Sequence, residues 1–166
     1  MTPSKNRRTK GKNFETKIAE ITDKICNHLI LPNKSEQLKV KRSPFSGASK
    51  NELGDIDLGI YRQNLPKLVI ECKKWTRLNF NNSLFKVLNE VNSIWNGYKE
   101  QYGNLDLVLV FAANYGLSYA FTDVDLDIEG KIKYKNCYLY VYEDFIKTYI
   151  VKYGQGLNAK KGKKQK

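Results

Sequence analysis

The chain has 166 residues, 41% hydrophobic and 28% charged, the balance of one folded globular domain and not of a disordered chain. No apolar run reaches the length that spans a bilayer, and no apolar stretch follows the basic N-terminus as a signal peptide requires, so an intracellular protein without membrane partners is expected. The three cysteines, Cys26, Cys72 and Cys137, are far apart and form no CxxC pair, which leaves small buried thiols as the expected role and excludes a disulfide framework or a zinc site.

The net charge is +12 and sits at the ends. Residues 1–12 carry Lys5, Arg7, Arg8, Lys10 and Lys12 with no acid, and residues 160–166 carry five lysines with no acid. Taking those ten from the 29 basic residues leaves 19 against 17 acids, a body of net +2. The expected organisation is a flexible basic arm at 1–12, one domain at 13–153 and a flexible basic tail at 154–166. Such ends gain affinity for a phosphate backbone by releasing counterions, although an acidic lipid surface or plain solubility would also be served.

In chain order, Phe14, Ile18, Ile21, Ile25 and Leu29 recur at helical spacing, and Pro32 and Asn33 mark the end of that helix. Residues 38–42 alternate as a short strand, and the Ser-, Gly- and Pro-rich stretch 43–54 reads as a loop. Ile56–Tyr61 and Lys67–Lys73 are strand candidates, and the short link Arg62–Pro66 suggests a hairpin. Leu84, Val87, Leu88, Val91, Ile94, Trp95 and Tyr98 place a helix over 82–102, with Gly103 at its C-cap. Leu105–Phe111 is a buried strand, Asn136–Tyr142 the clearest strand of a tyrosine-rich stretch, and Tyr142–Tyr153 a closing helix. This order predicts an α/β domain around a central mixed sheet flanked by helices.

Asp55, Asp57, Glu71 and Lys73 carry the sharpest chemical signal. Alternation puts Glu71 and Lys73 on one face of their strand, and the two aspartates on one face of theirs. A hairpin would set Asp57 opposite Glu71 and Asp55 opposite Lys73. Carboxylates that close repel unless a cation lies between them, and a hard divalent ion with oxygen ligands answers that repulsion. The Cys72 carbonyl is a further oxygen donor, and Lys73 would act on the attacking water and on phosphate charge. The bland alternative is a set of ordinary strand-end charges; the apolar run Leu68–Ile70 leading straight into Glu71 argues against it.

The succession KGKNFE at 10–15, RSPFSGA at 42–48, GDI at 54–56 and IECK at 70–73 resembles archaeal Holliday-junction resolvases and related phage nucleases of the PD-(D/E)XK superfamily. The resemblance covers about residues 10–115 and includes the LVLVF strand after the long helix. It implies a restriction-endonuclease-like core and a magnesium-dependent endonuclease, with manganese able to substitute. By position, Glu15 looks like the helix glutamate that joins the metal ligands, Ser46 like the loop serine beside the site, and Arg42 like the basic residue before that loop. Glu71 and Lys73 match the ExK pair. For the aspartate, the preceding glycine favours Asp55 and hairpin pairing favours Asp57. The implied partner is DNA, a four-way junction, engaged by a homodimer in the cytoplasm of a bacterial or archaeal host, with a phage as the source. Its phosphates would be gripped by Arg7, Arg8, Lys10, Lys12, Lys41, Arg42 and Lys74, with Trp75 beside them. The sequence departs from the pattern in extra length at 31–41 and after Phe111.

Other residues carry weaker signals. Glu20 and His28 read as helix-surface groups, Trp95 and most tyrosines as core, and Asp123, Asp125, Asp127 and Glu129 as a solvated strand face or loop.

Overall fold

The computed structural model describes residues 3–30, 40–44, 53–74, 84–112 and 116–157, with backbone alone for residues 3–10. The described elements run α1 (Pro3–Leu29), β1 (Lys41–Arg42), β2 (Ile56–Asp57), a 3-10 helix (Gly59–Gln63), β3 (Leu68–Lys74), α2 (Leu84–Tyr102), β4 (Asp106–Ala112), β5 (Ser118–Thr122), β6 (Ile132–Tyr134), β7 (Cys137–Val141) and α3 (Tyr142–Tyr153).

A five-stranded sheet has the order β3-β4-β5-β7-β6, with β3 and β4 parallel and the remaining pairs antiparallel. The parallel pair is buried on both faces, which is why its strands are near-continuous apolar runs instead of alternating ones. Their residues still divide by face. Leu68, Ile70, Val108, Val110 and Ala112 enter a core with α1 and α3, whereas Val69, Leu107, Leu109 and Phe111 enter a second core under α2. Helices therefore cover both sides of the sheet. Trp95 anchors α2, donating from Nε1 to the Leu107 carbonyl at 3.2 Å. Gly103, at φ 57°, ends that helix with its N–H on the Lys99 carbonyl at 2.9 Å.

The apolar stripe beginning at Phe14 is the buried face of α1. That helix starts at Pro3, so the backbone of 3–12, the segment expected as a flexible arm, continues the same helix. The Ser46 loop, Trp75 and the basic tail from 158 lie outside the described residues.

The hairpin expected between 56–61 and 67–73 is not formed. Only Ile56 and Asp57 are strand, and they pair antiparallel with β1, Arg42 opposite Ile56 and Lys41 opposite Asp57. The chain then turns through the 3-10 helix, which buries Leu58, Tyr61 and Leu65 against the α1 side of the sheet. Arg62 fixes this turn by donating from Nη1 to the carbonyls of Leu65 and Leu68, at 3.3 and 2.5 Å. No described helix is long and apolar enough to cross a membrane.

Candidate active site

β3 is an edge strand, and its outer edge is closed by the residues just before β2. Asp55 donates its backbone N–H to the Ile70 carbonyl at 2.9 Å, and its Oδ2 accepts from the Cys72 N–H at 2.8 Å. On the other side the Asp55 carbonyl accepts from Ser43 N–H at 2.8 Å. This close approach depends on Gly54. At φ 80° it adopts a conformation that L side chains avoid, and a Cβ there would lie 2.6 Å from the Ile70 carbonyl oxygen. The glycine of the GDI motif is thus a steric condition for bringing Asp55 to β3.

Glu71 follows Ile70 on β3 and is 6% exposed. Its Oε1 accepts from the Tyr102 hydroxyl at 2.5 Å, and the Asp55 carboxyl interacts with it electrostatically. Burial, above all, and then the Asp55 charge push the Glu71 carboxyl up to about 8, with Glu15 adding to the rise and the Tyr102 bond opposing it. Tyr98, one helical turn before Tyr102, lies in the same field: burial, Glu71 and Asp55 raise its phenol.

Glu15 approaches from α1, next to the buried Phe14. Burial and the Asp55 charge raise its carboxyl, against the opposing Arg42 and Lys12. Its Oε2 lies 3.5 Å from the Arg42 Nε, is buried, and makes no hydrogen bond among the described residues. Three acids from three segments of the chain therefore share one electrostatic environment, in which burial and the Asp55 charge act against ionisation of Glu15 and Glu71. Their oxygen chemistry fits a hard divalent ion, and the unsatisfied Glu15 oxygen is the atom such an ion would relieve. As the side chains stand, among the described residues, no three His, Cys, Asp or Glu groups surround one point at ligating distance. Arg42 engages Glu15, and Tyr102 engages Glu71.

The structure separates the two aspartates. Asp57 is exposed, and its Oδ1 accepts from the Gly59 N–H at 2.9 Å, capping the 3-10 turn. The expected pairings of Asp57 with Glu71 and of Asp55 with Lys73 fail together with the hairpin. Lys73 is exposed two residues beyond Glu71 on the same face of β3. Lys41 and Lys12 are exposed, and Arg42 and Lys74 are half-buried. The acids at 123–129 belong to a surface loop whose Val124 and Leu126 are buried; Lys99 and Lys131 pair with Asp123 and Asp125 at 3.4 and 2.6 Å. Glu20 and His28 are exposed, and none of the three cysteines forms a disulfide. Tyr102 is the functional candidate that the sequence reading passed over. Its link to Glu71 spans 31 positions, and no local pattern carries it.

Helices on both faces of a mixed sheet, with acids gathered at its edge strand instead of in a cleft between domains, define a nuclease core of the restriction-endonuclease type, the PD-(D/E)XK class. The sequence model of the family described as "Phage putative PDDEXK endonuclease" matches residues 6–156, and the chain belongs to that family. No curated protein and no solved structure matches the chain.

Proposed function

We propose that this nuclease is a magnesium-dependent endonuclease that hydrolyses phosphodiester bonds of branched DNA, a four-way junction in particular, as a homodimer. The observation that carries the catalytic part is the meeting of Glu15, Asp55 and Glu71 at the β3 edge, with Lys73 two residues further along the strand. In this reading Glu15, Asp55 and Glu71 supply the oxygen ligands, with the Cys72 carbonyl as a further donor. When bound, the ion lowers the pKa of its water and clamps the phosphoryl oxygen. Manganese meets the same oxygen donors and substitutes. Lys73, as an ammonium, orients the attacking water and offsets phosphate charge. Asp57 is the reserve candidate for the aspartate, and its cap on Gly59 counts against it.

Substrate choice is argued from charge. The basic ends, including Arg7, Arg8, Lys10 and Lys12, together with Lys41, Arg42 and Lys74, grip backbone phosphates, with Ser46 and Trp75 as further DNA contacts. Phosphate contacts carry no base identity, so recognition of this kind reads shape. Two copies related by a two-fold axis bring two sites to the paired strands of a junction.

The test is cleavage of matched duplex, nicked, flap and four-way DNA with magnesium and with manganese, for the wild type and Glu71→Ala. The expected result is preferential junction cleavage that Glu71→Ala abolishes, by a protein that sediments as a dimer. Cutting of linear duplex at one sequence overturns the branched-DNA reading. Intact DNA with every divalent ion overturns the enzyme.

A further inference from the structure

Tyr102 ends α2, on the opposite face of the sheet from Glu15, yet its hydroxyl reaches the acids. It donates to Glu71 Oε1 at 2.5 Å, and the Gly54 backbone acts electrostatically on the same phenol. That hydrogen bond ties the end of α2 to the strand that carries Glu71, beside the turn that presents Asp55. The tyrosine is itself fixed. Gly103 closes the helix immediately after it, and the Lys99 ammonium, one turn earlier, donates to the Leu105 carbonyl at 2.7 Å.

A glutamate has three side-chain torsions, and ordering it costs rotamer entropy. A carboxyl that accepts a hydrogen bond from a fixed donor has met part of that cost before any ligand arrives. Groups that orient a ligating side chain in this way influence metal affinity without touching the metal.

We propose that Tyr102 is a positioning residue that sets the Glu71 carboxyl for divalent-cation binding. The inference rests on the metal-site reading above. It assigns Tyr102 no contact with DNA and no part in proton transfer.

The test is Mn2+ binding to the full chain without DNA, by calorimetry, for wild type, Glu71→Gln and Tyr102→Phe, alongside thermal unfolding of each protein without metal. Tyr102→Phe removes one oxygen and keeps the ring. Its Mn2+ affinity is expected to fall by about 10–100-fold, and its nuclease rate to recover at saturating Mn2+. A purely structural residue would not show metal rescue. Wild-type affinity in Tyr102→Phe overturns the inference and leaves the site reading intact. Loss of cooperative unfolding in Tyr102→Phe also overturns it, because the hydroxyl would then be a determinant of the fold. Absence of Mn2+ binding by the wild type, or binding unchanged in Glu71→Gln, sinks the site itself and the inference with it.

Discussion

Asp55 and Cys72 form the contact on which the site is built: the aspartate Oδ2 accepts the Cys72 N–H at 2.8 Å, where a neighbouring strand would offer a carbonyl. The aspartate thereby closes an exposed sheet edge and is delivered beside Glu71.

The delivery depends on Gly54. A Cβ at that position meets the Ile70 carbonyl oxygen at 2.6 Å, and the φ of 80° is strained for any L residue. Gly54→Ala is expected to lose about 2–4 kcal/mol of stability, from backbone strain and displaced packing. Urea denaturation measures this. A loss below about 0.5 kcal/mol, the size of a neutral surface change, would mean that the turn does not need glycine.

Asp55 and Asp57 should separate cleanly in kinetics. Asp55→Asn replaces a carboxylate in the acid cluster, and a drop in nuclease rate of at least about 10²-fold is expected for loss of a group that organises transition-state charge. Asp57→Asn keeps an oxygen for the Gly59 N–H and should stay within about 3-fold of wild type, the effect of a weakened surface cap. Single-turnover cleavage at saturating enzyme reads both. The opposite ranking would move the site to the β1–β2 ribbon.

How far these outcomes could be read from the chain alone varies by element. The stripe from Phe14 to Leu29, the stripe from Leu84 to Tyr98 and the run before Glu71 each became the element they suggest, because burial enforces those periods. The hairpin failed because two β-prone stretches joined by a short link look alike whether the link is a turn or a helix. Leu58, Tyr61 and Leu65, spaced by three and four, were the available sign of a helical turn. The acids were legible as residues, and their geometry was not. Glu15 comes from α1 and Tyr102 from the end of α2, and chain folding alone brings them to Glu71.

The seam between α1 and α3 gives an asymmetric prediction. Thr22 Oγ1 donates to the Ile18 carbonyl and shares a buried 2.7 Å hydrogen bond with the Tyr142 hydroxyl. In Tyr142→Phe, Thr22 keeps its bond within the helix, so about 1 kcal/mol should be lost. Thr22→Val strands a fully buried phenol and should cost more, about 2–3 kcal/mol. Thr22 lies seven positions after Glu15, so nuclease activity should fall further in Thr22→Val as α1 shifts. Denaturation midpoints that rank the variants the other way would refute the assignment of Thr22 as the bridging group.

Glu71 should make the metal-free protein less stable as pH rises. Its carboxyl, ordinarily near 4.5, is pushed up to about 8 by burial and by Asp55. Between those values the folded chain keeps a proton that the unfolded chain releases. Unfolding therefore gives up protons, and stability falls from about 4.5 to about 8, with the full contribution present only below the lower value. The difference between wild type and Glu71→Gln reads this group together with its electrostatic link to Asp55 and Glu15. The glutamine carbonyl still accepts from Tyr102, and its amide can donate to Asp55, so the variant should gain on the wild type as pH rises, by on the order of 3 kcal/mol. Magnesium or manganese should narrow that gap at high pH, since a cation stabilises the ionised wild-type carboxylate and does much less for the amide. Chemical denaturation across this pH range, with and without the ion, provides the measurement. If wild type and Glu71→Gln run parallel over the whole window, Glu71 is ionised in the folded chain and the acids do not crowd one another as described.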